Sequence, residues 1–151
     1  MRLKSLLLLL VLLVSSIVAA QTPYCLETGH KISIRILSTI KSDEPLESSP
    51  TAKVAGDVYD ETGEYILIES GTPVTLQVEV RKANLSGDVG RIAITPISTT
   101  AYNGREITFE AEPIIYLGNE NGFFRSQMNV SVLEGTAFTA SIANKYCFKI
   151  E

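Results

Sequence analysis

Few residues of this chain have types and spacings that could do chemistry, and most of those are carboxylates. Asp60-Glu61, Glu110 with Glu112, and Asp43-Glu44 are the pairs close enough in sequence to serve a small secreted hydrolase, which sets two acids across a scissile bond. Glu110 and Glu112 stand two residues apart, so on a strand they share one face, expected to be the solvent side opposite Phe109 and Ala111. Trp is absent and Tyr supplies most of the exposed aromatic options, which leaves little for stacking a sugar ring. The other use of clustered acids is a hard cation, and Asp57, Asp60, Glu61 and Glu64 gather around one turn. Their spacing fits no EF-hand loop, and Asp60-Glu61-Thr62-Gly63 is an ordinary turn composition. His30 is the single histidine, in Gly29-His30-Lys31 ahead of an apolar alternation. No G-x-S-x-G elbow leads into a helix, so His30 reads as a solvated loop residue rather than a triad base. These patterns assign no catalytic residue, no metal ligand and no cofactor, and the chain is expected not to be an enzyme.

Cys25 and Cys147 are the two cysteines. Neither sits in a C-x-x-C pair, so redox catalysis and zinc binding have no support. Their fate depends on compartment: an oxidising one favours a bridge, and a reducing one leaves two buried thiols. Residues 1–20 speak to that. Met1-Arg2-Leu3-Lys4 is a basic start, Leu6 to Val14 is a Leu/Val run, and Val18-Ala19-Ala20 ends it with small residues before Gln21. This is the grammar of a secretory signal peptide. A retained membrane anchor is the alternative, but the run falls short of the ~20 residues that a ~30 Å hydrocarbon core requires. Gln21-Thr22-Pro23-Tyr24 separates the expected cut from Cys25, which argues against lipidation there. The expected mature chain is residues 21–151, one domain, exported to the periplasm or beyond, with Cys25 and Cys147 bridged. Taking Arg2 and Lys4 from the 13 basic residues leaves 11 against 17 acidic ones, a net charge of −6 with His neutral. Such a domain suits neither nucleic acid nor anionic lipid. Its partners are expected to be a protein or another envelope component, with no stable membrane insertion after cleavage.

The rest of the chain must position these residues, and its periodicity is that of strands. Ile32, Ile34 and Ile36 alternate with Ser33 and Arg35; Val74, Leu76, Val78 and Val80 alternate with Thr75, Gln77 and Glu79. Val54 to Tyr59 and Tyr65 to Ile68 read as a strand pair around the Asp60–Gly63 turn. Arg91 to Tyr102 is the next strand, where Pro96 marks a bulge or an edge. Asn103-Gly104 predicts a two-residue type I′ hairpin turn. Ile107 to Ala111, Met128 to Val132, Ala137 to Ile142 and Tyr146 to Ile150 complete eight or nine strands. Residues 41–52, with Pro45, Pro50 and several acids, predict a mobile polar loop with no share in the core. The expected architecture is all-β, an antiparallel β-sandwich or small β-barrel.

One motif recurs. Ile66-x-Ile68-x-x-Gly71-Thr72-x-Val74-Thr75 matches Val130-x-Val132-x-x-Gly135-Thr136-x-Phe138-Thr139 position for position. We expect two independent hairpins that solve the same steric problem with Gly and a β-branched residue; a duplicated half-motif with pseudo-symmetry is the alternative. Asp57-Val58-Tyr59-Asp60, Gly63, and Ile66-Leu67-Ile68-x-x-Gly71-Thr72 resemble a hairpin in the β-domain of TrbI-type scaffolds. Those are envelope-spanning components of conjugation and type IV secretion machines. The order of strand, Gly/Arg loop and Gly turn that follows in that family has counterparts in Val74–Ala83, Gly87 to Arg91, and Asn103-Gly104. The resemblance spans residues 54–112 and implies a β-domain with protein partners in a secretion assembly. Glu69 stands where the family has Pro, and the family's Pro-rich region, membrane helix and helical insertion have no counterpart in these residues. Asn84-Leu85-Ser86 and Asn129-Val130-Ser131 are N-glycosylation sequons, which a bacterial resemblance makes irrelevant.

Overall fold

A computed structural model describes residues 23–46, 48–121 and 128–149; the expected signal peptide lies outside the described residues. Alternating aliphatics make strands wherever one face is buried. The first six are β1 (Tyr24–Leu26), β2 (Lys31–Ile36), β3 (Ile40–Lys41), β4 (Ala52–Val54), β5 (Val58–Tyr59) and β6 (Ile66–Ile68). They are followed by β7 (Pro73–Arg81), β8 (Arg91–Thr100), β9 (Glu106–Thr108), β10 (Ile114–Leu117), β11 (Ser131–Val132), β12 (Ala137–Ser141) and β13 (Tyr146–Phe148). The all-β class is as read. The described residues hold more and shorter strands than the eight or nine expected. The stretch 54–59, read as one strand, is broken at 55–57: Ala55 N–H still bonds Ser33 O on β2 at 2.8 Å, and Val58 then restarts as β5 against β6. Lys41 belongs to β3, Ser42 is buried, and Ala52 opens β4 within the core, so the polar stretch expected to lie wholly outside the core is anchored at both ends.

Seven strands form one antiparallel sheet, in the order β10-β8-β7-β4-β2-β12 with β9 also on β8. The sheet curls into a half-barrel around Ile34, Ile36, Val54, Leu67, Ile92, Ile94, Ile107 and Ile142. Pro96 sits at a bulge, as its missing N–H requires. Thr75 faces Ser98 and Leu76 faces Pro96, so Ile97 is the extra residue. At this bulge β8 passes its outer edge from β10, paired with residues 91–94, to β9, paired with residues 98–100.

The two Gly-Thr hairpins are not independent, which corrects the simpler expectation. Gly71 N–H donates to Val54 O and Gly135 N–H to Ile36 O, both at 2.9 Å. Val54 N–H donates to Thr72 O and Ile36 N–H to Thr136 O, again both at 2.9 Å. β6 pairs β5 through Ile68 and Val58, and β11 pairs β3 through Val132 and Ile40. Leu37 N–H to Thr51 O is answered by Ala55 N–H to Ser33 O. β2 and β4 are themselves antiparallel neighbours, with Ile34 opposite Val54, Arg35 opposite Lys53, and Ile36 opposite Ala52. A pseudo-twofold axis through the Arg35–Lys53 pair therefore exchanges the two halves. Hairpins that merely shared a turn type would have no reason to share long-range partners.

Each Gly-Thr motif is a turn that places Gly at a positive φ, 88° at Gly71 and 87° at Gly135, with Thr N–H closing on Glu69 O or Leu133 O. A Cβ at either glycine would meet nothing within 4 Å, so the cost of Gly→Ala there is the left-handed backbone alone. Gly71→Ala and Gly135→Ala should each lower the unfolding free energy by about 1–2 kcal/mol and by closely similar amounts, measured by urea denaturation. Clearly unequal costs would show that the two turns are not equivalent.

Candidate functional site

Of the acids around the first hairpin, Asp60 is held by its own turn and Asp57 by the next one, while Glu61 and Glu64 are exposed. Asp60 is buried, and one carboxylate oxygen accepts from the Glu64 and Tyr65 N–H groups, each at 3.0 Å. The other accepts from the Thr62 hydroxyl at 2.5 Å and the Thr62 N–H at 3.2 Å. Burial pushes this carboxyl up, but the Thr62 hydroxyl and the Tyr65, Thr62 and Glu64 N–H donors together outweigh it and hold it below the usual carboxylate range. Asp57 Oδ1 accepts from Ser70 N–H at 2.7 Å, which ties this turn to the Gly71-Thr72 hairpin. Among the described residues no three His, Cys, Asp or Glu side chains gather as a metal site. His30 is exposed, beside a shallow groove that Lys31, Asp57 and Tyr59 also line.

Cys25 and Cys147 form a disulfide. They face each other directly in the β1–β13 ladder, with Cα atoms 4.1 Å apart, so the bridge joins the two ends of the domain. The neighbouring side chains tie this small sheet to the barrel. Thr108 N–H donates to the Tyr146 phenol oxygen at 2.9 Å, and the Arg105 guanidinium lies 5.2 Å over the Tyr146 ring while donating to Cys147 O at 3.2 Å. Tyr24 packs on Tyr65 with ring centroids 4.1 Å apart, and the hydrogen bond between them is the main cause that pushes the Tyr24 phenol up to about 12. Lys145 pairs with Glu27.

The Asn103-Gly104 turn differs from the expected type I′. Gly104 takes φ 81°, but no described non-glycine residue has positive φ, so Asn103 does not. Gly104 N–H bonds Ala101 O at 2.9 Å, Ala101 N–H bonds Arg105 O at 2.8 Å, and the Asn103 side chain accepts from Arg105 N–H at 3.0 Å. This is the three-residue hairpin with glycine at the bulge, which asks left-handed backbone of glycine alone. The second sequon is also spent structurally, since Asn129 Oδ1 accepts from Ala83 N–H at 2.9 Å and from the Ser42 hydroxyl at 3.2 Å.

Glu110 and Glu112 do not share a strand face. Glu112 N–H bonds Glu110 O at 2.8 Å, and that tight turn ends the alternation and leaves Ala111 exposed beside them. The turn stands at the seam of the half-barrel. Phe109 bridges Ile142, Glu110 N–H bonds Ser141 O at 2.8 Å, and Ala143 N–H bonds Thr108 O at 2.9 Å. These bonds close the curl at one end. Past them β10 and β12 separate, and a groove of about 120 Å³ opens between Pro96, Glu110, Glu112 and Ile114 on one lip and Thr139 and Ser141 on the other. β10 itself is missed by sequence reasoning. Ile114-Ile115-Tyr116-Leu117 is apolar throughout and carries no period-2 signal, although a charge-free run bounded by Pro113 and Gly118 is consistent with a strand.

No family model matches the chain, and no curated protein matches it. Among solved structures, the chain is similar to ComB10 of the Com type IV secretion system of Helicobacter pylori. The match has a TM-score of 0.50 at 13% identity and covers 85% of this chain and 92% of that one. At that identity the likeness is one of fold. The TrbI-type resemblance carried by residues 54–112 thus meets a type IV secretion component whose fold corresponds over most of the chain.

Two expectations follow from this geometry. The bridge spans 122 residues, so Cys25→Ser with Cys147→Ser should cost roughly 2–4 kcal/mol of unfolding free energy, measured against the oxidised chain in guanidinium. Asp60 titrates lower in the folded state than in the unfolded one. Its contribution is therefore complete above the unfolded value of ~4 and is lost as pH falls through the folded value. Thermal melts of Asp60→Asn should accordingly show a lower midpoint near neutral pH and a shallower loss in acid than the parent.

Proposed function

We propose that the chain is an exported, non-enzymatic β-domain that serves as a structural component of a conjugation or type IV secretion assembly in the bacterial envelope. The observation that carries this reading is the fold likeness to ComB10, because it covers 85% of this chain and 92% of that one, where a shared hairpin alone would cover far less. A disulfide joining β1 to β13 supports an oxidising compartment, and residues 1–20 have the pattern that would deliver the chain there. Fold alone does not carry function, so the assembly itself is what an experiment must find.

The test is made in the source organism, with the chain tagged at its natural locus. Detergent-solubilised envelopes should place it in a complex many times the mass of a single copy. Deleting the gene should abolish DNA or protein transfer across the envelope, and the chain supplied in trans should restore it. A chain found solely as a free monomer in the soluble fraction, with transfer intact after deletion, would overturn the proposal.

A further inference from the structure

Among the described residues, the seam between β10 and β12 has unpaired main chain on both lips. Gly118 N–H bonds Gly90 O at 2.9 Å, so the hydrogen-bonded positions of the β10–β8 ladder are Tyr116 with Ile92 and Ile114 with Ile94. Ile115 and Leu117 therefore turn their N–H and C=O groups away from β8. On the other lip Ile142 bonds back to Gly29 and His30 on the β2 side, and Ser141 O takes Glu110 N–H from across the seam. The alternation then aims the N–H and C=O groups of Ala137 and Thr139 into the seam.

The side chains tell the same story. Phe138, Ile114 and Tyr116 point inward beside the seam and are only half-buried, whereas their ladder partners Ile34, Ile94 and Ile92 are each 0% exposed. On the outer face Ile115 and Leu117 stand 48% and 54% exposed. β10 carries none of the charges that usually guard an edge. The nearest charges at its start are Glu110 and Glu112, and among the described residues neither forms an ion pair.

We propose that this seam is a strand-addition site. It takes an extended segment of a partner protein that pairs antiparallel with β10, covers Ile114, Tyr116 and Phe138 with alternate apolar side chains, and sets a Lys or Arg near its C-terminal end against Glu110 and Glu112. Main-chain bonds supply affinity and the two acids supply direction. A second copy fits less well: β10 paired with itself about Tyr116 would set Glu112 opposite Glu120 of the other copy, and like charges directly opposed are destabilising. The site goes beyond the assembly reading, since the seam would accept such a strand whichever assembly holds the domain.

The probe is a fluorescein-labelled peptide of alternating Val and Thr ending in two Lys, titrated into the full disulfide-bonded chain. Saturable binding is expected, with amide shift changes at Ile115, Leu117, Ala137 and Thr139. Binding should weaken about tenfold or more when the terminal Lys residues are replaced by Glu, and about tenfold or more when alternate peptide amides are N-methylated. Ile115→Pro removes a donor that β8 does not use, so it should weaken binding to a similar extent while leaving the melting temperature close to that of the parent. N-methylation changes the peptide alone, so it tests the same point should Ile115→Pro perturb the fold. Binding indifferent to N-methylation, shifts confined to other surfaces, no saturable binding, or a concentration-dependent dimer that excludes the peptide would each overturn the proposal.

Discussion

The antiparallel pairing of β2 with β4 is the contact on which the rest of this domain is built. It sets Ile34, Ile36, Ala52 and Val54 on one face, each at most 3% exposed, so the centre of the core is defined by two short neighbouring strands. It also places the pseudo-twofold axis. Each strand then receives its own Gly-Thr turn, through Gly135 and Thr136 for β2 and through Gly71 and Thr72 for β4, and each turn launches the next strand outward, β12 on one side and β7 on the other. The axis has a physical consequence at its centre. A dyad pairs equivalent positions with one another, so residue 35 and residue 53 face across the ladder and both are cations. Like charges directly opposed work against a strand pair by a few tenths of a kcal/mol. Four apolar residues buried on the other face outweigh that readily, at roughly 1.5–3 kcal/mol for a fully buried Val or Ile.

Polar groups in this fold are mostly used to hold turns. Asp60, Asp57, Asn103, Asn84 and Asn129 each accept backbone N–H bonds, and among the described residues no buried side-chain nitrogen or oxygen lacks a partner. A carboxylate whose two oxygens already take four donors has little capacity left for a substrate or cation, which is why Asp60 behaves as a turn residue in the fold. The Cys25–Cys147 bridge acts at a different level. It ties β1 to β13, whose two-stranded sheet is too short to be stable alone.

Alternation made β2, β7 and β12 legible in the sequence, because each turns one face toward the core and the other toward solvent. The Gly-Thr repeat was visible too, but its meaning was not. A turn motif reports local backbone, whereas the dyad lies in partners such as Ile36 and Val54, far away in the chain. The Asn103-Gly104 turn misleads for a related reason: asparagine tolerates positive φ, but loop length chooses the turn, and the extra residue lets glycine alone adopt it. β10 was illegible because its signal is a missing one. Four apolar residues without polar alternation look like core, and two of them prove to be the most exposed part of an edge. Glu110 and Glu112 were legible as a pair but not as neighbours of that edge, since the tight turn between them depends on the closure at Phe109 and Ile142.

That closure explains why the barrel stops half-made. Phe109, Glu110 and Ala143 zip the seam at one end, and had residues 110–117 continued as one strand the zipper would have run on along β12. The turn at Glu110–Glu112 and the ring of Pro113 prevent it, since a proline has no N–H to give the ladder and the turn uses a register step. β10 re-forms on β8 but no longer reaches β12. What stands there is a seam with matched main-chain lips, half-covered aromatic and aliphatic side chains inside, and acids at its closed end. Edge strands without guarding charges are a hazard to an isolated domain, and the proposed partner strand would remove that hazard by completing the sheet.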